Sequence, residues 1–233
     1  MKKFFGLMAA LIVSASAFAG GYKGDFQLML GAGFDSISAV GKIANQDSKT
    51  TVETGLFTMN LETWHVFGSN DVFKFGFMFA LDEGIGGTMS VKSYINGKFA
   101  EKADKTGIAA RTGMFIAPAF SFFLGNAVRF NVAPGLSILF ADLGSVTETY
   151  YGYRRTETYE NFIGVTAVGP GIEIQAKFVP NAKVSPVIGY RFAANFAQDF
   201  YNLNSRTSSS TTTKADSVVV LTNTIQLGIS WNW

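Results

Sequence analysis

The sequence predicts an all-β fold, an eight-stranded antiparallel up-and-down barrel closed on itself. Three observations predict it. Eight stretches alternate apolar and polar residues with period two, the mark of strands whose two faces meet different surroundings. Long polar connections and short turns join those stretches in strict alternation. The apolar residues on one face are too many to be packed inside, and no amphipathic helix is available to cover them.

The first element is not a strand. Lys2 and Lys3 precede the short apolar run Phe4–Val13, and Ala17-Phe18-Ala19 has the small-x-small form of a cleavage site. Residues 1–19 are therefore expected to be a signal peptide cut after Ala19, and residues 20–233 the barrel domain. The first strand is expected at Tyr22–Phe34, with Phe26, Leu28, Leu30, Ala32 and Phe34 on one parity. Asp35–Thr54 is polar and aperiodic, so a long loop is expected there. Gly55–Phe67 is the second strand, and Gly68-Ser69-Asn70-Asp71 a tight turn. The third sets Phe73, Phe75, Phe77, Phe79 and Leu81 against Lys74, Gly76, Met78 and Ala80. Another long loop, Asp82–Thr106, leads to the fourth strand, Gly107–Phe120.

After a short connection around Phe122–Asn126 comes the fifth strand, Ala127–Phe140. A Tyr-rich long loop, Asp142–Asn161, precedes the sixth at Ile163–Phe178. The turn Val179–Lys183 leads into the seventh, Val184–Phe196. Ala197–Asp216 is the fourth long loop, and the eighth strand runs from about Val218 to Trp233. Pro118, Pro134, Pro170 and Pro186 fall inside these strands although proline cannot donate to a ladder. Pro134-Gly135 and Pro170-Gly171 are nearly equidistant from Gly152, which suggests a paired bulge or kink.

Magnitude separates a membrane barrel from a soluble one. Eight strands at period two offer roughly fifty positions on the apolar parity. An eight-stranded interior is only just filled by side chains, and a comparable barrel core takes about a dozen. Most of the Phe, Leu and Ile residues must therefore face something apolar outside, and lipid is the expected partner. The opposite parity carries Glu62, Lys74, Arg111, Arg129, Glu173, Lys177 and Arg191, mixed with Gly, Ala, Ser and Asn. Facing lipid, such charges would cost several kcal/mol; facing each other across a narrow lumen they can pair. Trp64, Trp231 and Trp233 are expected at one rim, as part of an aromatic girdle.

The final residues sharpen this. Ile225, Leu227, Ile229, Trp231 and Trp233 share one parity of NTIQLGISWNW, and polar or small residues hold the other. The segment resembles the closing strand of bacterial outer-membrane β-barrels. That resemblance implies that these five residues form the signal read by the barrel-assembly machinery. With eight strands and this asymmetry of connections, the whole chain resembles the small-barrel class of OmpX- and OmpW-like proteins and the barrel domain of OmpA. It implies a transmembrane barrel in the outer membrane, surrounded by its lipids, with short periplasmic turns and four long extracellular loops, and monomeric.

Composition narrows the chemistry. The chain carries 19 basic and 17 acidic residues, and losing Lys2 and Lys3 leaves 17 basic residues, so the mature chain is formally neutral. Nothing in that balance favours nucleic acid. Cys is absent, which excludes disulfides, thiolate metal sites and a Cys nucleophile. No cofactor or metal ligand set is evident. His65 is the only His, it shares the lipid parity beside Glu62 and Thr63, and no nucleophile partner is identifiable. No catalytic residue is therefore assigned.

The inward charges form either a structural salt-bridge network or a selectivity constriction. With Lys23 and Asp25 counted, bases exceed acids, so an open lumen would prefer anions. Tyr150, Tyr151, Tyr153, Arg154 and Arg155 crowd one long loop, and Tyr and Arg are the residues of recognition surfaces for an extracellular ligand. The leading expectation is a non-enzymatic surface scaffold with a charged, plugged lumen. The alternatives are a narrow, porin-like pore or a conduit for small hydrophobic molecules, and then a lipid-modifying enzyme.

Overall fold

The computed structural model describes residues 23–43, 45–68, 70–152, 155–204 and 209–232. They form eight strands: β1 (Lys23–Ile43), β2 (Gln46–Phe67), β3 (Phe73–Ile95), β4 (Lys98–Leu124), β5 (Val128–Gly152), β6 (Arg155–Phe178), β7 (Val184–Asn204) and β8 (Ser209–Asn232). Each pairs antiparallel with its neighbours in sequence order, and β1 pairs with β8 to close the barrel. Closure leaves no edge strand with unpaired backbone groups. The seam is regular: Phe26 faces Trp231, Leu30 faces Leu227 and Phe34 faces Asn223.

The outward parity carries the apolar belt. Phe34, Phe57, Phe75, Ile85, Leu136, Phe140, Ile174, Ile225 and Leu227 are all exposed, Leu227 to 62%. The inward parity is buried, and most of it is polar. Chains that bury apolar faces against their own core show the reverse arrangement.

The four long connections lie at one end of the barrel, but they are ladder rather than loop. β1 and β2 stay paired from Asp35↔Thr54 up to Ile43↔Gln46, and β3 and β4 up to Ile95↔Lys98. β5 and β6 reach Gly152↔Arg155, and β7 and β8 reach Asn204↔Ser209. The physical reason is an inversion of faces. Above the belt, Ile37, Val52, Met89, Leu139, Val165, Val218 and Val220 point inward and pack as an apolar cluster. Ser36, Ser38, Thr51, Glu53 and Lys92 take the outer face there. On β1 the apolar positions step from Phe34 outside to Ile37 inside, three residues on, which breaks the period-two pattern. A bulge in the β2–β3 pairing between Thr54 and Phe57 contributes the same switch on β3. The tip of the second hairpin is Asn96-Gly97, both at positive φ (48° and 74°), a pair that fits a tight hairpin turn.

At the other end the connections are short, as predicted. Asn70 Oδ1 accepts hydrogen bonds from the backbone N–H of Val72 (2.7 Å) and Phe73 (3.3 Å), and the Ala182 N–H donates to the Val179 carbonyl. The prolines also find their place. Gly135 pairs directly with Gly171, Pro134 with Ile172 and Leu136 with Pro170, with no register shift between β5 and β6 at that level. The ladders break instead on the far sides of these strands. The β4–β5 pairing lapses between Ile116↔Leu136 and Phe120↔Val132, the span holding Pro118 and Pro134. The β6–β7 pairing lapses between Val168↔Phe196 and Gly171↔Ala193, the span holding Pro170. A proline has no N–H to give there. β4 and β5 close in at this point: a Cβ built on Gly135 would overlap the Ile116 carbonyl oxygen and lie 2.5 Å from the Ala117 Cβ.

The packed lumen as candidate functional site

The inward positions below the apolar cluster build one polar interior, arranged in three tiers. The lowest, beside the short turns, centres on Asp25. Its carboxylate accepts from the Arg129 guanidinium and from Lys177 Nζ (2.7 Å). Lys177 also donates to Asn232 Oδ1 (2.5 Å), whose own amide donates to the carbonyls of Pro180 (2.9 Å) and Ala182. This tier therefore ties β1, β5, β6 and β8 to the β6–β7 turn. Lys74 lies at the same rim and donates to the Gly68 carbonyl (2.6 Å).

The middle tier holds two carboxylates, Glu62 and Glu173, with one guanidinium between them. Arg191 Nε donates to Glu173 Oε2 (2.5 Å) and its Nη2 to Glu62 Oε1 (2.6 Å). The amides of Gln175 and Gln226 each donate to both carboxylates. Trp64 Nε1 donates to Glu62 Oε2 (3.2 Å), and Asn60 Nδ2 donates to Gln226 Oε1 (2.6 Å). Each oxygen of the two carboxylates thus has at least one donor, the condition under which buried charge is tolerable. An apolar wall of Trp64, Met78, Ala80, Phe115, Ala117, Ala119 and Ala133 completes this level.

In the upper tier, Arg111 donates to Asp35 Oδ1 (2.5 Å), to both Asp82 oxygens (3.1 and 2.8 Å) and to Thr224 Oγ1 (3.2 Å). Arg191 Nη1 approaches Asp82 Oδ2 to 3.9 Å, which links the middle tier to the upper. The inverted apolar cluster lies above, and Val218, Val220 and Ala167 in it are fully buried.

Glu62, Lys74, Arg111, Arg129, Glu173, Lys177 and Arg191 are all buried in the interior, as the parity argument placed them. Two acids escaped that argument: Asp35 and Asp82 lie in stretches read as loop, yet both point inward. With them, the buried charged residues among the described ones balance at five acidic and five basic, so the expected basic excess is absent from the packed interior. Trp64 is the second departure. It is not part of an outer girdle but is fully buried within the lumen. Its parity with Glu62 carried that information. Trp231 does lie at the rim, its ring 5.9 Å from that of Phe26. Ile225, Leu227 and Ile229 face outward on β8, and Trp233 lies outside the described residues. Tyr153 and Arg154 also lie outside them, as do the side chains of Tyr150, Tyr151 and Arg155.

No protein-family model matches the chain, and no curated protein matches it. Solved structures do. The outer membrane protein OprG from Pseudomonas aeruginosa superposes with a TM-score of 0.51 at 11% identity, over 92% of this chain and 98% of that one. A major outer membrane protein from Thermus thermophilus gives 0.49 at 12% identity, over 87% and 99%. The attachment invasion locus protein Ail of Yersinia pestis gives 0.41 at 12% identity, over 90% and 99%. Identities this low speak to the fold alone, and on that ground the chain has the closed eight-stranded barrel fold of the small bacterial outer-membrane proteins.

Proposed function

We propose that this chain is an integral, monomeric barrel of a bacterial outer membrane whose lumen is plugged and which acts as a non-enzymatic scaffold, presenting its four long hairpins outside the cell. One observation carries the reading: charged and amide side chains bridge the lumen from wall to wall in three successive tiers, capped by a buried apolar cluster. Water-filled channels need a continuous polar path, and side chains that bridge a narrow eight-stranded barrel in this way argue against one. A non-enzymatic role is supported by the position of His65. It has the outward parity of its strand, where it is buried and stacks on Phe77 at 4.6 Å, whereas Glu62 has the inward parity, so the two lie on opposite faces.

The test is single-channel conductance of the refolded chain in planar bilayers, with insertion scored separately by the heat-dependent gel shift of a folded barrel. The expected result is silence in the wild type. Steady openings that change in Arg111→Ala or Glu62→Ala would overturn the plug and make the tiers a filter.

A further inference from the structure

We infer that the outer face of the first two hairpins carries a groove that binds the saccharide part of an outer-leaflet glycolipid. The groove measures about 610 Å³, within the range of roughly 300–1,000 Å³ typical of small-ligand clefts. It lies on the outer face of β1, β2 and β3. Its floor is the hydroxyl pair Ser38 Oγ and Thr51 Oγ1, 3.0 Å apart. One side is the ion pair of Lys92 with Glu53, at 2.9 and 2.7 Å to the two carboxylate oxygens. Ser36 and the ring of Tyr94 also line it, and Tyr94 is itself braced edge-on by Phe99 at 5.8 Å. The tips of the two hairpins are tied together over the groove. The Asn96 N–H donates to the Asp47 carbonyl (2.8 Å), and the Asp47 N–H donates to Asn96 Oδ1 (3.1 Å).

Position and chemistry point the same way. Phe34, Phe57 and Ile85 mark the upper edge of the apolar belt on these three strands. Ser36 is two residues beyond Phe34 on the same face. That advance is about 7 Å along a strand, or about 5 Å along the membrane normal at a tilt of about 40°. The polar zone on each side of a bilayer is about that thick. The groove thus begins in the headgroup layer, just above the lipid tails, and rises from there toward the hairpin tips, where Asp47, Lys49 and Tyr94 line it.

Its charges balance. Lys49 and Lys92 line it together with Asp47 and Glu53, and the Glu53 carboxylate already neutralises Lys92. A bare anion would meet as much repulsion as attraction. A polyhydroxyl group suits the lining better, because each sugar hydroxyl both donates and accepts. Carboxylates, ammonium groups and Ser/Thr hydroxyls together offer both complements, and the Tyr94 ring offers an apolar platform for the carbon face of a sugar ring.

This inference rests on the outer-membrane placement proposed above, so the experiment scores insertion first. The full chain is refolded into phosphatidylcholine nanodiscs and its folding checked by gel shift. It is then titrated with lipopolysaccharide of short sugar chain, with the oligosaccharide released from that lipopolysaccharide, and with phosphatidylglycerol. Wild type is expected to bind the lipopolysaccharide most tightly. Thr51→Trp, which fills the groove, should weaken that binding at least tenfold. Glu53→Gln, which keeps the shape but removes the charge, should weaken it severalfold. Glu83→Ala, on the outer wall away from the groove, should leave it unchanged. Unaltered binding in folded Thr51→Trp and Glu53→Gln would overturn the site. Equal affinity for phosphatidylglycerol would overturn the saccharide assignment, and equal affinity for the released oligosaccharide would overturn the membrane as its source.

Discussion

Arg191→Ala is the perturbation that most directly separates a packed lumen from a wet one. Arg191 is the single cation between Glu62 and Glu173, at 2.6 and 2.5 Å, and also donates to Asn60 Oδ1 at 3.2 Å. Its guanidinium carbon lies 5.4 Å from the Phe115 ring centre. Both glutamates are fully buried. Removing one partner of a buried pair leaves uncompensated charge in low dielectric and costs about 3–5 kcal/mol, whereas exposed pairs contribute about 0.2–1 kcal/mol. Here two carboxylates lose their shared partner, so the expected loss is at least about 3 kcal/mol. The triple variant Arg191→Met, Glu62→Gln, Glu173→Gln removes all three charges at near-constant volume, and should recover most of that loss. The assay is urea unfolding of the barrel in lipid vesicles, followed by tryptophan emission. Trp64 donates to Glu62 within the same tier and so reports it directly. The denaturant slope should not change, since the same surface is exposed on unfolding. A loss below about 1 kcal/mol would refute the reasoning, because it is what water-screened charges give.

Three further outcomes follow from the same architecture. Trp64→Ala should cost about 3–5 kcal/mol in the same unfolding assay, because a fully buried indole against Met78 and Phe115 leaves a cavity behind. Leu227→Arg, opposite Leu30 midway along the belt of β1 and β8, should cost about 2–4 kcal/mol in vesicles, the depth-dependent penalty of a charge facing lipid. Gly135→Val should block the close approach of β4 and β5 and reduce the yield of the heat-shifted folded band, while Gly125→Ala, with open space around its Cβ position but a positive φ of 58°, should be milder.

Much of the molecule is readable residue by residue from the chain. Strand parity is a local property: once Phe75 faces lipid, Lys74 and Gly76 must face the lumen, because neighbouring side chains alternate. That is why the seven inward charges and the outward row Ile225, Leu227 and Ile229 needed no tertiary information. The Asn96-Gly97 hairpin is not among the elements read from the sequence, because the stretch around it lacks apolar alternation and reads as loop. Two things were not local. The apolar residues change face where the wall leaves the belt, which made strand look like loop and hid the inward parity that Asp35 and Asp82 simply continue. Above all, Asp25 meets Arg129 and Lys177, and Arg191 meets Glu62 and Glu173, across more than 100 residues in three of these four pairs. Those partnerships depend on strand tilt and stagger around the closed barrel, which set the height at which each inward residue arrives. Alternation along a strand decides which way a side chain points; only closure of the barrel decides what it meets.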